Sequence, residues 1–201
     1  MIHLFKEGQP EHPVLLLLHG TGGNERDLLP LAAYIDPQAA VLSVRGNVSE
    51  QGMPRFFRRL AEGVFDEEDL IYRTKELNDF LDDAAKQYTF NRKNIVALGF
   101  SNGANIAGSL LFHYQEALKG AILCHPMVPR RGLSLPKLAG TPVFIGAGRR
   151  DPLIPQEETL ELEDILIQAD AKVLLHWEEG GHQLTQTELH AAQRWYSKTF
   201  L

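Results

Sequence analysis

Ile95-Val96-Ala97-Leu98-Gly99-Phe100-Ser101-Asn102-Gly103-Ala104-Asn105-Ile106-Ala107-Gly108-Ser109-Leu110-Leu111 is the stretch whose reading decides the fold. Ile95 to Leu98 is apolar without alternation, the mark of a strand buried on both faces. From Ala104 onward the residues are small or apolar, as a buried helix needs. Between them, Gly99-Phe100-Ser101-Asn102-Gly103 fits G-x-S-x-G. A strand that turns this sharply into a helix strains the serine and lifts its side chain above the sheet. Glycines are required two positions before and after it to avoid a clash. The helix also aims its N-terminal N–H groups at the place where negative charge develops. A chance serine in a glycine-rich turn would not need this context on both sides. Ser101 is expected to be a nucleophile.

The same alternation extends outward along the chain. Val14 to Leu18, Ala40 to Val44, Ala121 to Cys124, Pro142 to Ile145 and Val173 to Trp177 are further apolar runs, most of them closed by glycine or proline. Ile2 to Lys6 is expected to add an antiparallel edge strand. Leu70, Thr74, Leu77, Leu81 and Ala84 recur at helical spacing behind the acidic cap Asp66 to Asp69. Leu162, Ile165, Leu166 and Ala169 form a second stripe, and Leu189, Ala192, Trp195 and Tyr196 a third. Strands alternating with helices predict one α/β domain over 1–201, with a mostly parallel central sheet and helices on both faces. Sites in such sheets lie beyond the carboxyl ends of the strands.

The residues at those ends are therefore the candidates for chemistry. His19-Gly20-Thr21-Gly22-Gly23 follows the first strong strand, where a glycine-rich loop can bring one backbone N–H to an oxyanion. The N–H groups of Thr21 and Asn102 are the expected oxyanion hole, with His19 organising the loop. The loop lacks the Lys and Ser/Thr of a phosphate-binding turn and contains no G-x-G-x-x-G. In this architecture the acid and then the base follow the nucleophile in chain order. Asp151 is the only carboxylate in Gly146-Ala147-Gly148-Arg149-Arg150-Asp151-Pro152, and His182 stands in a turn ahead of the last helix. His176 lies within a strand and His190 within a helix, His3 and His12 are near the N-terminus, and His125 precedes the acid. Ser101, Asp151 and His182 are the expected catalytic set.

Met53, Phe56 and Phe57 follow the strand ending at Val44, so they are expected over the site as an apolar substrate pocket. Packing of the same side chains into the core is the alternative. Seven arginines (Arg55, Arg58, Arg59, Arg130, Arg131, Arg149 and Arg150) also follow strand ends. They suggest esters that carry a carboxylate, which arginine binds in a bidentate way. Ordinary solvated arginines are the competing reading.

Composition sets the outer limits. The formal net charge of -6 gives no global attraction to nucleic acid or to an anionic membrane surface. The single cysteine, Cys124, excludes an intramolecular disulfide and fits a reducing compartment. No basic-then-apolar leader opens the chain, and the apolar run Val14 to Leu18 cannot cross a bilayer. A cytoplasmic protein without stable membrane anchoring is expected. No HExxH or clustered His/Cys spacing calls for a metal, and no cofactor is expected.

Taken together, Leu18 to Glu25, Gly99 to Gly103, Gly148 to Pro152 and Gly180-Gly181-His182 resemble the carboxylesterase/phospholipase branch of the α/β-hydrolases, near the acyl-protein thioesterases and dienelactone-hydrolase-like proteins. The segment Arg45-Gly46-Asn47 through Met53 to Arg59 and on to Asp66 to Leu70 is similar to bacterial hydrolases encoded in methylhydroquinone-resistance operons. Dienelactone hydrolases proper carry cysteine at the elbow where this chain has Ser101, so their particular reaction is not implied. No insertion is long enough for a cap domain, which implies an open, shallow site. Homodimers are common in the branch. The resemblance implies a serine carboxylesterase acting on small or aromatic esters through an acyl-enzyme. A thioesterase or lysophospholipase acting on acylated protein or lipid is the enzymatic alternative. An inactive hydrolase-fold binding protein is the alternative of another class.

Overall fold

The computed structural model describes residues 1–201. A seven-stranded sheet forms its centre, made of β1 (His3–Lys6), β2 (Val14–Leu18), β3 (Val41–Val44), β8 (Ile95–Phe100), β9 (Gly120–Cys124), β10 (Pro142–Gly148) and β11 (Lys172–Glu178), with β4 to β7 in the link described below. Across the sheet they lie in the order β1-β3-β2-β8-β9-β10-β11. Only β1 runs antiparallel, pairing His3 with Val44, so the expected edge strand is present. The remaining pairings are parallel, and β2, β3, β8 and β9 are buried almost throughout. β11 departs from the expectation of strands covered on both faces. As the other edge it is only partly buried, and Leu174 stands exposed.

The helices are α1 (Leu29–Ile35), α2 (Glu67–Gln87), α3 (Asn102–His113), α4 (Gln156–Gln168) and α5 (Gln186–Phe200). The expected stripe on α2 is the buried one: Leu70, Thr74, Leu77, Leu81 and Ala84. Asp66 caps this helix by accepting from the Asp69 N–H. Leu70, Leu77, Leu81 and Ala84 join Leu16, Leu18, Ile106, Leu110, Leu162 and Leu166 in one core beneath α2, α3 and α4. Alternate residues of the same strands, Leu15 and Leu17, face the other way and meet Ala32, Ile35, Ala192 and Tyr196 of α1 and α5. The sheet is thus covered on both faces. The sequence does not predict α1, because at seven residues it is too short to develop a clear periodicity.

The link from β3 to α2 holds two small hairpins, β4 (Val48–Glu50) with β5 (Met53–Arg55), and β6 (Arg59–Ala61) with β7 (Val64–Phe65). Together they form a rim and not a separate cap. Their three- and two-residue strands carry too little alternation to be read in advance. No helix is long and apolar enough to cross a membrane.

Candidate active site

Ser101 sits between β8 and α3 with φ 52° and ψ −114°, a conformation that side chains other than glycine rarely adopt. The turn is held by close packing. A Cβ on Gly99 would lie 2.6 Å from the Gly103 carbonyl, and one on Gly103 only 1.9 Å from the Leu18 carbonyl. The Ser101 N–H donates to the Cys124 carbonyl at 2.9 Å. Although it occupies the N-cap position of α3, its hydroxyl makes no cap bond and turns instead toward the loop before α5.

There Ser101 Oγ lies 2.8 Å from His182 Nε2, and His182 Nδ1 lies 2.7 Å from Asp151 Oδ2. With Nδ1–H donated to the carboxylate, Nε2 is left free to accept the serine proton. Asp151 comes from the loop after β10. Its Oδ1 accepts the N–H groups of Leu153 at 2.8 Å and Ile154 at 3.2 Å. Burial works to raise the Asp151 pKa. The Leu153 N–H and the two imidazoles outweigh it and hold the group below the ordinary carboxylate value. Asp151 therefore remains an anion through the neutral range.

The N–H groups of Thr21 and Asn102 donate to no backbone acceptor, and both residues line the cleft that contains Ser101. Each is anchored from the rim. Arg55 Nη1 donates to Thr21 Oγ1 at 2.9 Å, and the Phe56 N–H donates to Asn102 Oδ1 at 2.7 Å. His19 organises the Thr21 loop as expected. Its Nδ1–H donates to the Gly20 carbonyl at 2.6 Å, and its Nε2 accepts the Gly46 N–H at 3.1 Å. Burial lowers its pKa, so it stays neutral where an exposed histidine would begin to charge.

The cleft holds about 260 Å³ and combines Phe65, Phe100, Met127, Leu153 and Ile154 with Arg55 and Arg59. The residues expected to line the pocket lie elsewhere. Phe56 and Phe57 do not line it: they are 2% and 0% exposed, packed in the main core. Met53 is 38% exposed, also lies off the cleft lining, and covers Gly22. The strand Met53–Arg55 pairs back on Val48–Glu50, and the chain beyond it then drives both phenylalanines under the rim. Of the seven arginines only Arg55 and Arg59 reach the cleft; Arg58, Arg130, Arg131 and Arg149 pair with carboxylates, and Arg150 caps the Glu179 carbonyl.

His125 is the residue that chain order undervalued. It lines the cleft, and its Nδ1 lies 3.1 Å from Asp151 Oδ2, the oxygen already bonded to His182. The donor atoms of His125, Asp151 and His182 fall within 4.8 Å of one another, close enough to ask whether they bind a metal. Their 2.7 and 3.1 Å separations are those of direct N–H···O bonds. A tetrahedral site with ligands at about 2.0–2.1 Å needs edges of about 3.3 Å, so the arrangement fits protons better than a cation.

Residues 3–200 match the family described as Phospholipase/Carboxylesterase. Over 201 residues, all of both chains, the sequence is 58% identical to a Bacillus subtilis (strain 168) protein named "Putative hydrolase MhqD". The crystal structure of the Bacillus cereus carboxylesterase superposes with a TM-score of 0.98 at 66% identity, covering 98% of this chain and 94% of that one. A structure of YahD with malic acid superposes with a TM-score of 0.95 at 32% identity, covering 98% of each chain.

Proposed function

The chain belongs to the phospholipase/carboxylesterase family of hydrolases, and on that premise we propose that it cleaves small carboxylic esters through an acyl-enzyme on Ser101. The observation that carries this reading is the unbroken chain from Ser101 Oγ through His182 to Asp151, at 2.8 and 2.7 Å. His182 Nε2 takes the hydroxyl proton as Oγ bonds to the ester carbon, and the carbonyl electrons move onto oxygen. The N–H groups of Thr21 and Asn102 receive that oxyanion. When the C–O bond breaks, the leaving alkoxide takes the proton from His182, and the acyl group stays on Ser101. Water then attacks with His182 as base, releasing the acid and restoring the hydroxyl. Asp151 holds the imidazole tautomer and stabilises the imidazolium. A fluorophosphonate probe should modify Ser101 and no other serine, and unlabelled folded protein would instead favour a binding role.

The cleft argues for short acyl groups over the lipid-sized substrates of a lysophospholipase or acyl-protein thioesterase. At about 260 Å³ it lies just below the range of ~300–1,000 Å³ common for sites that engulf drug-sized ligands. In a series of p-nitrophenyl esters, kcat/KM is expected to stop rising beyond roughly six acyl carbons. Full burial of the chain would instead add about 0.8 kcal/mol, close to fourfold, per methylene. A continued rise through dodecanoate would restore the long-chain reading.

Arg55 and Arg59 support esters whose acid part carries a second carboxylate. Both guanidiniums lean on the single carboxylate of Glu50, at 3.2 and 2.9 Å. One positive charge is therefore left over, countered at the mouth only by the exposed Glu62. The terminal nitrogens of Arg59 bond to no protein acceptor. YahD, a relative at 32% identity, was solved with malic acid, itself a dicarboxylate. p-Nitrophenyl hemiglutarate should exceed p-nitrophenyl valerate in kcat/KM by about tenfold, as a charge-assisted pair allows. Arg59→Gln should bring that ratio toward one, and equal specificity constants in the parent would remove the idea.

A further inference from the structure

Behind Asp151 a second buried chain continues, which esterase chemistry does not require. His125, 1% exposed, directs Nδ1 to Asp151 and Nε2 to Glu188, whose Oε2 is 3.4 Å away. Glu188 is 0% exposed, and neither its carboxylate oxygens nor His125 Nε2 makes a hydrogen bond to any other group, so the two face each other at ion-pair distance. A buried carboxylate without compensation is strongly disfavoured, so a counter-charge or a proton must accompany it.

Both sides of the contact are built into the backbone. His125 holds a positive φ of 53° at the end of β9, and its N–H donates to the Gly146 carbonyl at 2.7 Å. Glu188 lies in the first turn of α5, its N–H capped by Thr185 at 3.1 Å. Its carboxylate occupies the space over Gly146, where a Cβ would come within 1.9 Å of Oε1. Gly146 is thus the residue that makes room for a buried carboxylate in the middle of β10.

We infer that His125 and Glu188 form a buried imidazolium–carboxylate pair that positions Asp151, and through it His182. The titratable groups facing His125 are Asp151 and His182 from the loops and Glu188 from α5; the Cys124 thiol faces Glu188. Burial and Glu188 push the Cys124 thiol well above its ordinary value, so it adds no second negative charge beside Glu188, and as a thiol it has no positive charge with which to balance it. Burial alone would lower the His125 pKa, but Glu188 and Asp151 outweigh it and raise it. With the His125 charge balanced by Glu188, Asp151 keeps its own charge for His182. The shared oxygen Oδ2 is held from two directions, by His182 at 2.7 Å and His125 at 3.1 Å.

The role in catalysis rests on the esterase reading above, whereas the pair itself can be seen without turnover. The test is nitrogen NMR on the full chain carrying 15N-histidine, parent against Glu188→Gln, beside kinetics on p-nitrophenyl acetate. In the parent, both nitrogens of His125 should be protonated between pH 6 and 8. In Glu188→Gln, Nε2 should lose its proton within that range. kcat should fall on the order of tenfold, as loss of an outer partner of an oriented imidazole does, with KM unchanged. An unprotonated Nε2 in the parent overturns the pair, and that readout survives even if the variant fails to fold. An unchanged kcat in a variant whose Nε2 has lost its proton overturns the positioning role. No turnover or fluorophosphonate labelling in the parent would count against the esterase reading alone, since the parent spectrum still decides the pair.

Discussion

Ser101→Ala is expected to lower kcat on a neutral aryl ester by about five to six powers of ten, and His182→Ala by nearly as much. The two changes together should cost little more than either alone. A nucleophile without its base and a base without its nucleophile both leave only the oxyanion donors and substrate binding. Asp151→Asn should cost about four powers of ten, because an amide at this position favours the wrong imidazole tautomer. Stability should barely move with Ser101→Ala. Alanine carries the same Cβ through the same positive φ, and only the 2.8 Å bond to His182 is lost. Steady-state kinetics with active-site titration would measure these effects. A His182→Ala enzyme within a hundredfold of the parent would move the base to another group.

Gly103→Ala should damage the fold itself. Its new Cβ would meet the Leu18 carbonyl oxygen at 1.9 Å and carbon at 2.4 Å, backbone atoms of a central strand that cannot swing aside as a side chain can. Relief would require α3 to lift off β2, opening the core around Ala104, Ile106 and Ala107. A loss of at least about 3 kcal/mol is expected, at the top of the usual range for overpacking. In a chain of 201 residues this should appear as a fall in Tm of about 6–12 °C. Gly180→Ala is the control. Its Cβ would meet nothing nearer than 3.7 Å, and its φ lies outside the left-handed region, so Tm should change by no more than a degree or two. Equal melting temperatures for the two variants would show that the strand and helix at the elbow are not packed as tightly as these distances require.

The elbow was legible because its constraints are local: two glycines at fixed offsets, a continuous apolar strand before and a small-residue helix after. Chain order and a place after strands likewise single out Asp151 and His182, and in the fold His182 lies 2.7 Å from Asp151 and 2.8 Å from Ser101. The mostly parallel character of the sheet and the helix stripe on α2 followed from period and burial, which each segment carries in itself, whereas the order of the strands across the sheet is a tertiary fact. The rim differed. Met53, Phe56 and Phe57 are apolar whether they line a cleft or fill a core, and only the turn of the β4–β5 hairpin and the packing beneath it decide between the two.

Arginines posed the same difficulty. Seven of them stand after strand ends in the sequence, but the positions of their carboxylate partners leave only Arg55 and Arg59 facing Ser101. His125 and Glu188 lie 63 positions apart in the chain. No spacing rule joins a histidine at the end of β9 to a glutamate in the first turn of α5, and chain order placed His125 outside the catalytic set. By itself the sequence determined the parallel α/β sheet, the strained serine and the order of its partners, because each is written in neighbouring residues. Tertiary structure alone decided which side chains face the cleft and which carboxylate lies buried behind it, because those depend on contacts between segments far apart in the chain.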